Sequence, residues 1–243
     1  MNNNEKYIRQ IQLPEIGYQG QEKLGAAKVL VIGAGGLGCP AMQYLVSSGI
    51  GTIGIVDFDR VAVSNLHRQI LYSIDDVGAL KVDIAKRQLE KLNPNCIIQK
   101  YDTMLSTENS MALIKDYDII IDATDMISAR YLINDTCLEL QKPFVYGAVY
   151  KYQGQVAVFN LDNGPTYRCL FPNPPVSKIE DCNESGILPV LPGIIGLMQA
   201  TETIKIITGL GNPLSGVVGL FDIKTMQWER ITLSRKQPIK KQK

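Results

Sequence analysis

Asp57, Asp59, Arg68, Lys81 and Asp125 have the types and spacing needed to act on a phosphate ester. They follow a glycine-rich run, Gly33-Ala34-Gly35-Gly36-Leu37-Gly38, whose missing side chains let backbone approach a phosphate and whose following helix aims its N–H groups there. Asp57 stands about 20 residues further on, where a carboxylate accepts ribose hydroxyls. Arg68 and Lys81 can reach the same crevice, and cations there absorb the charge that develops on a triphosphate being cleaved. Asp125, beside such phosphates, repels them unless a cation sits next to it, which predicts a magnesium requirement. The glycines and Asp57 alone fit a nicotinamide dinucleotide equally well, so spacing leaves an NAD-dependent oxidoreductase open. That reading gives Arg68 and Lys81 no obvious use.

The elements that must position these residues alternate along the chain. Hydrophobic patterning predicts strands over 28–32, 53–56, 96–99, 119–121 and 144–147 and helices over 37–48, 81–92, 108–115 and 129–140, the third helix capped by Thr107. Strand and helix in turn imply an α/β fold, a Rossmann-like doubly wound, mostly parallel sheet with ligands at the carboxyl ends of its strands. Beyond Tyr150 the pattern changes. An alternating strand over 154–160, a long loop over 161–188, a helix over 194–208 and a hairpin of 217–222 with 226–233 are expected to extend the sheet with antiparallel C-terminal strands. The chain is expected to form one unit, 1–243, with a helical arm over 1–27, a nucleotide-binding half over 28–150, a second half over 151–233 and a basic tail over 234–243.

Composition narrows the class. The 243 residues are 45% hydrophobic, enough for a full core, and 25 Lys plus Arg against 24 Asp plus Glu leave a net charge of +1. No global field draws such a chain to nucleic acid or a membrane, so neither partner is expected. The start Met1-Asn2-Asn3-Asn4-Glu5-Lys6 carries no apolar stretch, and the apolar run 187–197 is broken by Pro189, Pro192 and Gly193, so a cytoplasmic location is expected. Five cysteines without a Cys-x-x-Cys pair fit a reducing compartment. Cys39, Cys96 and Cys137 read as core fillers.

Taken in order, the glycine run, Asp57-Phe58-Asp59, Ser64-Asn65-Leu66-His67-Arg68-Gln69, Gly78-Ala79-Leu80-Lys81, Asp122-Ala123-Thr124-Asp125, Tyr167-Arg168-Cys169-Leu170 and Cys182-Asn183-Glu184-Ser185-Gly186 resemble the ThiF/MoeB/HesA family, bacterial relatives of ubiquitin-activating enzymes. The resemblance runs from Tyr7-Ile8-Arg9-Gln10 to about Leu233. It implies an ATP-dependent adenylyltransferase acting on the C-terminal Gly-Gly carboxylate of a small ubiquitin-like sulfur carrier, in thiamine or molybdopterin synthesis, with the second half binding the carrier. By similarity Gly36 lies against the phosphates among Gly33, Gly35 and Gly38. Asp57 holds the ribose, with Asp59 either beside it or capping the loop. Asn65, Arg68 and Lys81 contact the phosphates, with Gln69 in the same motif, and Asp125 holds magnesium or orients the attacking carboxylate. Arg9 reaches across a two-fold axis into the partner's site, which implies a homodimer. Cys182 occupies the place where the ThiF branch forms a covalent link to the carrier; in the MoeB branch the equivalent cysteine is dispensable. The sulfur donor is expected to be a separate protein.

Two departures from the family pattern stand out. Family members often bind zinc with two Cys-x-x-Cys pairs, whereas here Cys169 stands alone, so no zinc site is expected. Met126 replaces the asparagine that commonly follows the equivalent of Asp125. His67 reads as a surface residue and Trp228 as packing. A peptide-adenylating relative from peptide-antibiotic synthesis and a non-catalytic binding relative stay open beside the sulfur-carrier reading.

Overall fold

The computed structural model describes residues 3–175 and 186–235. Two helices, α1 (Asn3–Ile11) and α2 (Gly17–Ala26), precede β1 (Lys28–Ile32), α3 (Gly38–Ser47), β2 (Thr52–Val56), α4 (Lys81–Leu92), β3 (Ile97–Tyr101), α5 (Ser110–Ile114), β4 (Ile119–Asp122) and α6 (Ile127–Glu139). There follow β5 (Phe144–Tyr150), β6 (Gln153–Phe159), a short α7 (Tyr167–Leu170), the long α8 (Val190–Thr208), β7 (Val217–Asp222) and β8 (Gln227–Thr232). Among the described residues the strands form one sheet in the order β3-β2-β1-β4-β5-β6-β7-β8. From β3 to β5 neighbours run parallel, and from β5 to β8 antiparallel.

The continuous apolar run of β1 explains its central place. Val29 and Val31 face one core with Met42 and Leu45 of α3 and Leu191 and Ile195 of α8. Leu30 and Ile32 face the other, with Ile114 of α5 and Ile133 and Cys137 of α6. Alternation across the pleat buries both faces, as a parallel strand sandwiched between helices requires. After β1 the chain goes to β2 on one side and after β3 returns to β4 on the other, and the crevice opened by that reversal holds the site described below.

Helix α8 is long and apolar enough by composition to cross a membrane. Here it lies against the sheet, with Leu191, Ile195, Gln199, Ala200 and Thr203 buried. Gln199 donates from Nε2 to the main-chain oxygens of Asp122 (2.6 Å) and Val145 (3.1 Å), which locks the end of β4 to β5. The helix starts four residues earlier than the sequence suggested, because Pro192 sits in its first turn, where a missing N–H costs nothing. Helix α6 likewise starts two residues early. Thr107 does not cap α5: the N-cap is Asn109, and the Thr107 hydroxyl donates to Glu108 instead. Within the long loop over 161–188, the described residues include a 3-10 turn, Leu161–Asn163, and α7.

The segment between β2 and α4 carries much of the site and needs its own anchor. Asp76 supplies it, accepting from Ser73 N (2.9 Å) and Oγ (2.7 Å) and pairing with Arg87 Nη2 at 2.5 Å. Burial would raise the Asp76 carboxyl, but the Ser73 bonds and the Arg87 charge outweigh it and hold the group below the usual carboxylate range. A depressed folded-state value means the contribution is complete above the unfolded value, near 4, and is lost as pH falls through the folded one. Asp76→Ala is therefore expected to cost about 2 kcal/mol at pH 7 and to flatten the acid limb of the stability curve, measured by urea unfolding from pH 3 to 7. An unchanged acid limb would remove Asp76 as the anchor.

Candidate active site

The carboxyl ends of β1 to β4 surround a cavity of about 860 Å³, a size that suits a nucleotide. Gly33, Gly35 and Gly36 line it after β1, Asp57 and Asp59 after β2, Thr103, Met104 and Leu105 after β3, and Thr124, Asp125 and Met126 after β4. Asn65, Arg68, Gln69 and Lys81 enter from the crossover segment.

The glycine turn is shaped by close backbone approach. Gly33 has φ +101°, and a Cβ there would lie 2.5 Å from the Ala123 carbonyl oxygen. Gly38 is not part of the cavity wall. A Cβ on it would lie 2.0 Å from the Gly33 oxygen, so the missing side chain lets α3 start tight against the turn. Asp57 ties the turn to the next strand: Oδ2 accepts from Ala34 N (2.7 Å) and Oδ1 from Asp59 N (2.8 Å). The Tyr72 hydroxyl holds the Ala34 oxygen at 2.8 Å. Burial pushes the Asp57 carboxyl up, and the Lys81 charge and these two N–H groups pull it back. Each Asp57 oxygen keeps a free lone pair, so a ribose diol can still donate to it.

Lys81 opens α4 with its side chain 5% exposed and Nζ 2.7 Å from Asp59 Oδ2, which is itself half in solvent. A buried ammonium needs such a partner. Asp59 thereby has a definite job, counter-ion to Lys81, while still lining the cavity. Arg68 donates to Ser64 O at 3.1 Å, leaving most of its guanidinium N–H groups for a ligand. Gln69 is buried, and its Oε1 has no hydrogen-bond partner among the described residues. Asp125 is exposed on the cavity wall. His67 is exposed at the same wall, beside Arg68.

Arginine 130 is a residue the sequence reading missed. It lines the cavity from the first turns of α6. An arginine one turn into a helix that follows a strand-end acid was the available signal, since such a side chain folds back toward the strand end. The charged wall then holds Arg68, Lys81 and Arg130 against Asp57, Asp59 and Asp125. These cancel formally, so a polyphosphate brings more negative charge than the wall neutralises. An extra hard cation held at the Asp125 carboxylate would fit that arrangement.

The ThiF family profile matches residues 7–241. The chain belongs to the ThiF family. It is 44% identical to the sulfur carrier protein adenylyltransferase of Thermus thermophilus, across 95% of this chain and 88% of that protein. It is 47% identical to the adenylyltransferase and sulfurtransferase MOCS3 of Culex quinquefasciatus, across 98% of this chain and 55% of that protein. A probable molybdopterin-synthase adenylyltransferase of Porphyra purpurea is 46% identical, across 96% and 62%. The chain thus spans about half the length of its MOCS3 relative. Among solved structures, E. coli MccB with ATP superposes with a TM-score of 0.84 at 23% identity, covering 96% of this chain and 73% of MccB, which shows the same fold.

In this ThiF-family chain, Arg9 lies exposed on α1 and does not line the cavity. Cys182 lies outside the described residues. Cys169 is buried, its Sγ accepting from Thr166 N at 3.4 Å to close the first turn of α7. Among the described residues no group of three or more His, Cys, Asp or Glu is placed to hold a metal on its own. Trp228 stacks on Phe221 with ring centroids 5.1 Å apart.

Proposed function

We propose that this chain uses ATP to adenylate the C-terminal Gly-Gly carboxylate of a ubiquitin-like sulfur carrier. The observation that carries the reading is the convergence of Asp57, Arg68, Lys81 and Asp125 on one nucleotide-sized cavity, in a chain 44% identical to a sulfur carrier protein adenylyltransferase over nearly its whole length. Asp57 accepts the ribose hydroxyls. The glycine turn and the start of α3 receive phosphate oxygens. The apolar part of the wall, Met104, Leu105, Ala129 and Leu132, takes the base.

A carboxylate oxygen of the carrier attacks the α-phosphorus, the bond from that phosphorus to the bridging oxygen breaks, and pyrophosphate leaves with the electron pair. Both reactants are anions, so the work of the site is to neutralise and align them. Arg68 and Lys81 take up charge on the phosphates, Lys81 releasing Asp59 as it does so. Asp125 would hold magnesium, which would supply further neutralisation of charge on the phosphates. Arg9, exposed on α1, is assigned to the cavity of a second copy, making the working unit a homodimer. A cytoplasmic setting is part of the same reading, five cysteines without a Cys-x-x-Cys pair fitting a reducing compartment.

ATP–pyrophosphate exchange with magnesium, measured with and without the Gly-Gly-terminated carriers of the same genome, tests the reading. Exchange with one carrier is the expected result and distinguishes thiamine from molybdopterin synthesis. Failure with every carrier, in folded protein, overturns it, and exchange with a short peptide instead would move the substrate class to the peptide-adenylating branch.

A further inference from the structure

We propose that Arg130 is a positioning residue for adenylation, holding the peptide unit that leads into Asp125 and so setting where that carboxylate points. The inference rests on the adenylation reading for its kinetic consequence but on geometry for its substance. The Thr124 carbonyl, which belongs to the same peptide plane as the Asp125 N–H, accepts from Arg130 Nη2 at 3.1 Å. Thr124 is gripped from its other side by Asp122, whose Oδ1 accepts from Thr124 N (3.1 Å) and Thr124 Oγ1 (2.8 Å). Asp122 is itself fully buried at the end of β4, and its main-chain oxygen is fixed by Gln199. The turn from β4 to α6 is thus clasped on the N–H side by a carboxylate and on the carbonyl side by a guanidinium.

An arginine that merely decorated α6 would reach into solvent. Here the Nε of Arg130 is buried, and the guanidinium lies over the Tyr146 ring, 5.5 Å from its centroid. Asp122 Oδ2 and Arg130 Nε, both buried, have no hydrogen-bond partner among the described residues. The two groups share this pocket without a full complement of hydrogen bonds. A structure built only for stability would satisfy or remove them, since unpaired buried polar atoms are costly. The arrangement makes sense if the guanidinium is needed beside the cavity wall. With it gone, the 124–125 peptide loses its carbonyl partner and is free to rotate, swinging the Asp125 side chain away from the reacting phosphate while Asp57, Arg68 and Lys81 stay in place.

The test compares the wild type with Arg130→Gln and Arg130→Lys. Hydrogen exchange of the 122–127 segment is expected to speed up about tenfold in R130Q, with β1 and β2 unchanged. In ATP–pyrophosphate exchange, kcat should fall about 100-fold in R130Q with the KM for ATP nearly constant, because misplacement by about 1 Å is enough for such a loss. R130K, whose ammonium can still reach the Thr124 oxygen, should recover about tenfold of it. Unchanged exchange in the 122–127 segment overturns the proposal, as does a kcat within twofold of wild type. A raised KM at constant kcat overturns it too, since Arg130 would then be touching the nucleotide. If the wild type itself shows no pyrophosphate exchange with any carrier, the adenylation reading fails, and the hydrogen-exchange comparison decides the positioning role by itself.

Discussion

Asp125→Ala lowers the rate of ATP–pyrophosphate exchange about 1,000-fold and leaves the thermal midpoint within error of wild type. The first half follows from charge. The cavity wall carries as many carboxylates as cations, so, on the adenylation reading proposed above, removing the carboxylate that would seat an additional divalent cation would leave triphosphate and incoming carboxylate facing each other with too little between them, and losing one electrostatic stabiliser of this kind costs about 10²–10³ in rate. The second half follows from exposure: Asp125 stands open on the wall, and surface changes away from packing or caps stay within about 0.5 kcal/mol. Asp125→Asn keeps the shape and loses the charge, so it should behave as the alanine variant does. Exchange at the wild-type rate in either variant would take Asp125 out of the reacting site.

Gly38→Ala should unfold the protein far more easily and abolish nucleotide binding together. A Cβ at this position would lie 2.0 Å from the Gly33 carbonyl oxygen, and Gly33 in turn holds φ +101° with its own would-be Cβ 2.5 Å from Ala123 O. These neighbours are backbone and cannot swing aside as a side chain would. The helix must retreat from the turn, at a cost of about 3 kcal/mol. Retreat also withdraws the N–H groups of α3 from the phosphate position, so ATP affinity measured calorimetrically should fall at least about 100-fold. Gly25→Ala in α2, whose Cβ would meet nothing within 4 Å, is the control and should gain up to about 1 kcal/mol. A G38A protein with the wild-type midpoint and affinity would show that the tight start of α3 is not what shapes the site.

Much of this architecture can be read from the chain because the relevant signals are local. The apolar run Val29 to Ile32, the glycines after it and the acid closing β2 announce a strand, a turn and a ligand-facing carboxylate without reference to the rest of the molecule. The periodic spacing of Val82, Ala85, Leu89 and Leu92 gives α4 with the bounds observed. What stayed hidden depends on distant partners. That Asp59 pairs with Lys81 could be seen only once the fold set the two side by side. Gly38 reads as a ligand residue in the fingerprint, and only the position of the Gly33 oxygen shows that close packing also requires a glycine there. Arg130 carries no motif; its importance comes from Asp122, Thr124 and Tyr146, which the fold gathers around it. The helical start at Val190 escaped because two prolines and a glycine suggest a loop, although Pro192 in the first turn is compatible with a helix.

The place of β1 between β2 and β4 has a consequence for how the molecule comes into being. Val29 pairs with Ile53 on one side but with Ile119 on the other, and Lys28 N donates to the Asp118 carboxylate. During synthesis the early strands can zip together while the opposite edge of β1, buried from Val29 to Ile32 in the finished sheet, waits for a segment that has yet to leave the ribosome. Closing so long a loop is slow, and until it closes an unpaired sticky edge is presented to every neighbour. The nascent chain is therefore most exposed to misassociation in the interval between completion of β1 and emergence of β4, and assistance by a chaperone would matter most there.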